Sequence, residues 1–238
     1  ATLKHLLMES GLRRGLGARE FVLHYQPLVH VESGGIIGVE ALIRWQNPEV
    51  GLVPPDQFIH VAEDIGLINP IGDWVLREAC RQVRAWQDAG LPPLIVAVNV
   101  SPIQFRQPGF VDTVANALAA SGLDARFLEL ELTERTVMQD AEQTLGTLSA
   151  LNQMGVELAV DDFGTGYSSL AYLKRFPVGK LKIDRSFVRD LEADPDDRAI
   201  ASTILSMGRG LRLKVLAEGV ETKEQYAILR EMGCELVQ

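Results

Sequence analysis

Val160-Asp161-Asp162-Phe163-Gly164-Thr165-Gly166-Tyr167-Ser168-Ser169-Leu170 continues an apolar run, Val156 to Val160, into two adjacent carboxylates and a glycine-rich turn. This is the pattern of a buried strand that ends at a cavity. Side chains alternate faces along a strand, but twist and a following turn bring neighbouring acids toward one side. Carboxylates that close repel and hold a proton between them unless a cation relieves the charge. Asp161 and Asp162 therefore read as a metal site at the mouth of a sheet. Alone, such a pair is more often a solvated surface turn. What reverses that reading is recurrence of the pattern along the chain.

Working outward, apolar runs predict strands at Phe21–His30, Ile36–Trp45, Leu94–Val100, Phe127–Leu132, Val156–Val160, Leu181–Asp184, Val215–Ala217 and Glu235–Gln238. Helical spacing predicts helices between most of them: Pro55 to Gly66, Ile71 to about Gly90, Val111 to Gly122, and Leu145 to about Gly155. Further helices are predicted from about Ser168, around Ile200, Ile204 and Met207, and around Tyr226, Leu229 and Met232. Ala1 to Glu20 reads as a polar helix. The turn Glu32-Ser33-Gly34-Gly35 joins the first two strands so tightly that they must be antiparallel. The later strands alternate with helices. The fold class is therefore α/β: a TIM-like (β/α)8 barrel with an antiparallel first strand.

Chemistry in such barrels sits where strands end. The strand ends here carry Glu40 with Arg44, Asn99, Glu131 with Glu134, Asp161 with Asp162, Lys182 with Asp184, and Glu218 with Glu221. Asn99, Glu131 and Asp161 are spaced by 32 and 30 residues, about one βα unit each. Side chains repeated at that period converge on one rim. Oxygen ligands without a His or Cys cluster suit a hard cation, Mg²⁺ or Mn²⁺ rather than Zn²⁺. Two such ions suit in-line attack on a phosphodiester. Arg44 can hold a phosphate oxygen bidentately, and Lys182 can steady the developing charge.

Composition narrows the classes. The chain has 238 residues, 47% apolar and 23% charged, with a net charge of −9. That balance offers no basic surface for a nucleic-acid polymer. No apolar run is long enough to span a membrane, and no signal-peptide pattern is present. The two cysteines, Cys80 and Cys234, have no metal-ligand spacing and fit buried free thiols in a reducing cytoplasm. The first residue is not Met, so the expectation is one domain, residues 1–238, excised from a longer protein that is itself free to be membrane-anchored elsewhere.

Glu40-Ala41-Leu42-Ile43-Arg44-Trp45 resembles the signature of the EAL domain family, the bacterial cyclic di-GMP phosphodiesterases. Tyr25-Gln26-Pro27, Pro55-Asp56-Gln57-Phe58-Ile59 with Ala62-Glu63, and Asn99-Val100-Ser101 also resemble family motifs. So do Glu131-Leu132-Thr133-Glu134, Asp161 through Leu170, Lys182-Ile183-Asp184, and Glu218-Gly219-Val220-Glu221-Thr222.

The resemblance implies hydrolysis of cyclic di-GMP to linear pGpG with two Mg²⁺ or Mn²⁺ ions, Ca²⁺ being inhibitory. It places Glu40, Asn99, Glu131 and Asp161 on one ion and Asp162 on the second, with Glu218 holding its water. Lys182 contacts that water or the phosphate, and Glu221 supports the ring of ligands. Glu40, Asp162, Lys182 and Glu218 form the catalytic set. Gln238 lies near the same water. Gln26, Leu42, Arg44 and Asp184 are expected at the substrate, although Leu42 also reads as core and Asp184 as a loop-ordering acid. Glu134 is expected to brace the Asp161–Leu170 loop, or to cap the following helix. The family implies a homodimer near that loop, where Tyr167, Leu170 and Tyr172 are apolar, and an upstream sensory or GGDEF domain. The family pattern continues beyond Gln238 with Gly-Tyr and a closing helix, so the C-terminal end of the barrel is expected to be truncated. A silent receptor that binds cyclic di-GMP is the competing class. Such members lose ligands, and none of these is lost.

Overall fold

The computed structural model describes residues 3–166 and 170–238. Its centre is a sheet of β1 (Phe21–His30), β2 (Ile36–Asn47), β3 (Gly51–Val53), β4 (Ile95–Asn99), β5 (Leu128–Thr133), β6 (Glu157–Phe163), β7 (Lys180–Ile183), β8 (Lys214–Ala217) and β9 (Leu236–Val237). The strand order is β1-β9-β8-β7-β6-β5-β4-β2-β3, and an added β1–β2 pairing closes eight of the strands into a barrel. β1 runs antiparallel to both β2 and β9, while the other barrel pairs are parallel. The expected barrel with a reversed first strand is therefore present.

Helices cover the outside: α1 (Leu3–Ala18), α2 (Pro55–Asp64), α3 (Ile68–Asp88), α4 (Pro102–Phe105), α5 (Phe110–Ser121), α6 (Glu134–Met138), α7 (Ala141–Gln153), α8 (Leu170–Leu173), α9 (Ser186–Arg189), α10 (Pro195–Leu211) and α11 (Lys223–Glu231). None among the described residues is long and apolar enough to cross a membrane. The start of the helix expected from about Ser168 lies outside the described residues. Both cysteines are buried free thiols.

Three differences from the sequence reading have physical causes. β3 was not expected. It is three residues long, too short to show a period, and it pairs antiparallel with the end of β2 outside the barrel. α4, α6 and α9 are single turns, also below the length at which helical spacing shows. β6 does not stop at Val160 but runs to Phe163, with its register to β7 broken between Val160 and Phe163. Asp162 sits in that break at φ 53°, a left-handed conformation that Asp tolerates better than most residues.

Alternation along the strands sorts the side chains. Leu128, Leu130 and Leu132 of β5 face the helices and pack in one core with Leu148 and Leu151 of α7. The intervening Glu129 and Glu131 face inward. In β7, Leu181 and Ile183 face out, and Lys180 and Lys182 face in. Leu28, Ala97, Leu216 and Leu236 form a separate apolar cluster inside the barrel. α1 lies against β2 at the rim. Its Gly11 and Gly15 sit so close to Trp45 that added Cβ atoms would fall 2.8 and 2.9 Å from the indole. The Trp45 ring N–H donates to Glu20 at 2.9 Å.

Low in the barrel, Lys180 Nζ and Glu129 lie 2.7 Å apart with side chains only 5% and 3% exposed. Removing one member leaves a buried charge without compensation, which costs about 3–5 kcal/mol, whereas replacing both by apolar residues is near neutral. Lys180→Met is therefore expected to lower stability by about that amount in denaturant titrations. The double variant Lys180→Met/Glu129→Leu should recover most of the loss, and equal loss in both would show that the pair does not act as a pair.

Candidate active site

The inward residues at the C-terminal ends of the strands meet around Lys182, whose side chain is 0% exposed. Lys182 Nζ stands 2.6 Å from Glu218 Oε1, 2.7 Å from Glu131 Oε2, 3.4 Å from Glu40 Oε2 and 3.5 Å from Asp161 Oδ1. Each carboxylate arrives on a different strand or just past one: β2, β5, β6 and β8. Glu40 also accepts from Asn99 Nδ2 and from Gln238 Nε2, both at 2.6 Å. The 30-residue period seen in the sequence is thus a ring in space.

The electrostatics are unbalanced. Burial works against the Lys182 charge, but Glu131, Asp161, Glu40 and Glu218 outweigh it and push its pKa well above the ordinary lysine value. Glu131 is raised well above the carboxylate range by burial, which Lys182 does not offset. Asp161 is raised by burial against the pull of Lys182. Glu218 is pushed up to about 7 by burial and its acidic neighbours. Glu40 behaves oppositely: burial would raise it, but Lys182 and the amides of Gln238 and Asn99 hold it below the usual range.

Asp162 joins from the register break. Its backbone N–H donates to Asp161 Oδ1 at 2.8 Å. Asp162, Asp161 and Glu218 each offer an oxygen within 4.8 Å of the others. Burial and repulsion from Asp161 and Asp184 push Asp162 up to about 6. Asp184 accepts from both the hydroxyl and the N–H of Ser186. Burial would raise Asp184, but Ser186 outweighs it and its pKa falls.

A cation fits these residues. Four carboxylates crowd one ammonium, and three of them are raised in pKa. Glu131 Oε1 and Gln238 Oε1 are also buried with no hydrogen-bond donor among the described residues. Divalent-ion binding would satisfy such oxygens and release the protons held there.

The remaining expected residues fall into place unevenly. Glu134 is 2% exposed, and its Oε2 accepts from Gly164 N–H at 3.0 Å across the loop after β6. It also lies in the first turn of α6, but Thr133 supplies the N-cap. Leu42 is half-buried and lines an apolar hollow of about 280 Å³ with Ile59, Glu63 and Ser101. Arg44 folds back to donate to its neighbour's carbonyl, Ile43 O, at 2.8 Å. Gln26 is exposed and faces Glu40 across the β1–β2 ladder. Glu221 is exposed, and its carboxylate has no described contact with the Lys182 cluster. Ser186 and Gln225 were not singled out in the sequence. Gln225 had a signal, the capping box Thr222-x-x-Gln225.

The EAL domain model matches residues 9–238. The chain belongs to the EAL domain family. Among EAL relatives, MucR of Pseudomonas aeruginosa, a bifunctional diguanylate cyclase/cyclic di-GMP phosphodiesterase, is 52% identical over 227 residues, 95% of this chain and 33% of MucR. NbdA of the same organism, a cyclic di-GMP phosphodiesterase, is 49% identical over 235 residues, 99% of this chain and 30% of NbdA. The solved MucR phosphodiesterase in complex with c-di-GMP matches with a TM-score of 0.95 at 51% identity, covering 98% of this chain and 94% of that one. The EAL domain described here spans about a third of the length of these curated relatives.

Saturating divalent cation is expected to raise the melting temperature of this EAL domain, since a ligand at about 100 times its Kd adds about 2.7 kcal/mol to the folded state. The shift should shrink in Asp161→Asn/Glu218→Gln. A melting curve that millimolar Mg²⁺ and Mn²⁺ both leave unmoved would count against a cation site.

Proposed function

We propose that this domain is a divalent-cation-dependent phosphodiesterase that opens cyclic di-GMP to linear pGpG and so lowers this bacterial second messenger. One observation carries the reading: Glu40, Glu131, Asp161 and Glu218 converge on Lys182 at the barrel mouth. They do so in a chain about half identical to two cyclic di-GMP phosphodiesterases.

Glu40, Asn99, Glu131 and Asp161 would hold one ion. Asp162 would hold a second with Glu218 beside its water, and Glu221 would steady the ring from outside. The donors are all oxygens, so Mg²⁺ or Mn²⁺ is expected, and Ca²⁺ in its looser geometry is expected to inhibit. Bound there, such ions supply a nucleophilic water at neutral pH and stabilise the attacking and leaving oxygens.

The side chains do the rest. Glu218 Oε1 and Lys182 Nζ, 2.6 Å apart, orient the attacking water, and Glu218 takes its proton. Lys182 steadies charge on the phosphate as it develops. The water oxygen bonds to phosphorus, the P–O3′ bond breaks, and the 3′ oxygen leaves as a hydroxyl after gaining a proton from solvent. Arg44 holds a phosphate oxygen, Leu42 lines the apolar hollow for a base, and Gln26, Asp184 and Gln238 contact the substrate. Glu134, by fixing Gly164, keeps the loop that presents Asp162 in place.

Wild-type domain incubated with cyclic di-GMP and Mg²⁺ or Mn²⁺ is expected to form pGpG by chromatography, and excess EDTA to stop it. Asp161→Asn, Asp162→Asn and Glu40→Ala should each lower kcat by more than the roughly 10–100-fold typical of losing a ligand's supporting partner. Binding of the dinucleotide without product would make the domain a receptor.

In the same reading the domain is one module of a longer cytoplasmic signalling protein, joined to a sensory or GGDEF module, and it pairs with a second copy beside the loop after β6. Tyr167 of that expected surface lies outside the described residues. Leu170, 56% exposed, supports the pairing. Sedimentation at high micromolar concentration is expected to show a dimer that Leu170→Glu weakens; a strict monomer would remove the pairing.

A further inference from the structure

Asp162 stands on backbone that does not keep its shape unaided. It adopts φ 53°, Gly164 follows at φ 101°, and the register to β7 is broken between Val160 and Phe163. A residue other than glycine keeps such a conformation only where the surroundings impose it. Thr165 closes the turn, its hydroxyl donating to the Asp162 carbonyl at 2.8 Å. Two further contacts grip the turn at Gly164. Its N–H donates to Glu134 Oε2 at 3.0 Å. A Cβ on Gly164 would fall 2.9 Å from Phe187 Cε2 and 3.1 Å from Ile204 Cδ1. The edge of the Phe187 ring therefore lies directly against the Gly164 backbone, beside the buried Ile204 of α10.

The ring is itself held in place. Phe187 belongs to the single turn α9, and its N–H donates to the Asp184 carbonyl at 3.1 Å. Ser186 ties the same turn to the Asp184 carboxylate. The loop after β8 backs it. Gln225, 4% exposed, accepts from the N–H groups of Glu221 at 2.7 Å and Thr222 at 3.0 Å, and donates to the Arg189 carbonyl at 3.1 Å. Gly219 adopts φ +71°, and a Cβ there would fall 2.8 Å from Arg185 Cβ. The turn α9 is thus fixed between the loops after β6 and β8, and Phe187 is the side chain it lays on the first of them.

We propose that Phe187 is a positioning residue for Asp162: its ring, braced by the loop after β8, holds Gly164 and so imposes the left-handed course that presents the Asp162 carboxylate. The proposal rests on the cation-dependent phosphodiesterase reading above. Apolar contact with backbone is not directional, so the ring sets where the turn lies, while the Glu134 hydrogen bond sets how Gly164 is oriented. Without the ring, a turn built on two positive-φ residues is free to relax, and Asp162 leaves its place beside Asp161 and Glu218. Phe187 reaches the reaction only through that carboxylate. Its loss therefore weakens cation binding and turnover, and it leaves KM, which depends on groups that touch the dinucleotide.

The test compares wild type, Phe187→Ala, Phe187→Leu and Leu148→Ala, the last a core variant on the outer side of β5. Mn²⁺ is titrated calorimetrically into each domain without substrate, and hydrolysis of cyclic di-GMP is followed at saturating Mn²⁺. Phe187→Ala should weaken Mn²⁺ binding and lower kcat, each by about tenfold or more, with KM within about twofold. Phe187→Leu keeps an apolar branch against Gly164 and should fall between wild type and the alanine variant. Leu148→Ala also opens the core; it should melt earlier yet keep wild-type Mn²⁺ binding and kcat. Unchanged Mn²⁺ binding in Phe187→Ala, an equal loss in Leu148→Ala, or a rise in KM alone would each overturn the assignment. If Phe187→Ala does not fold, the leucine variant decides, and wild-type Mn²⁺ binding there overturns it. If wild type makes no pGpG, the phosphodiesterase reading fails by itself, and the Mn²⁺ titration still decides on Phe187.

Discussion

An ammonium group with no solvent exposure survives only inside a cage of opposite charge, and Lys182 has one. Taking such a charge out of water costs several kcal/mol, recovered only where geometry and further hydrogen bonds are good. Glu218 and Glu131 at 2.6 and 2.7 Å provide that geometry. The cage is overfilled: Glu40 and Asp161 are drawn in as well, leaving surplus negative charge. The amides of Asn99 and Gln238 relieve only Glu40. Repulsion among the remaining acids is what a bound cation would relieve, and Lys182 is the pin that holds them together.

Strand register delivers this arrangement. In β5 and β7 the same alternation that sends leucines outward sends Glu129, Glu131, Lys180 and Lys182 inward. The barrel interior is therefore stratified: a closed ion pair low down, the apolar cluster of Leu28, Ala97, Leu216 and Leu236, and the open charged ring at the rim. The lower pair is neutral and buried. The upper ring is charged and reaches solvent through Asp162 and Glu218. Surplus charge is confined to the rim.

Much of this was legible in the sequence because it depends on period. Asn99, Glu131 and Asp161, at strand ends 32 and 30 residues apart, can only converge if the strands are parallel and neighbouring, and they do so, with Glu40 and Glu218 beside them. The inward pair Glu129 and Lys180 was open to the same logic, each two residues before a member of the ring. It was passed over because attention fell on strand ends. What the sequence could not reveal is local and unperiodic. The left-handed turn at Asp162 breaks the strand without any proline or glycine at that residue. β3 and the single-turn helices are shorter than any repeat. The exposed position of Glu221, apart from the ring, depends on how the loop after β8 is tied by Gln225, a long-range contact to Arg189 that no spacing encodes.

The reversed first strand has a mechanical consequence. In an all-parallel barrel the polypeptide enters at the floor, a full strand length from the chemistry. Here β1 descends from the rim, so α1 lies at the rim too, its Gly11 and Gly15 pressed to the indole of Trp45. Trp45 follows Arg44 and shares a strand with Glu40. A twist or tug on α1 is thus applied as leverage on the strand that carries the first acid of the ring, with no intervening layer to absorb it.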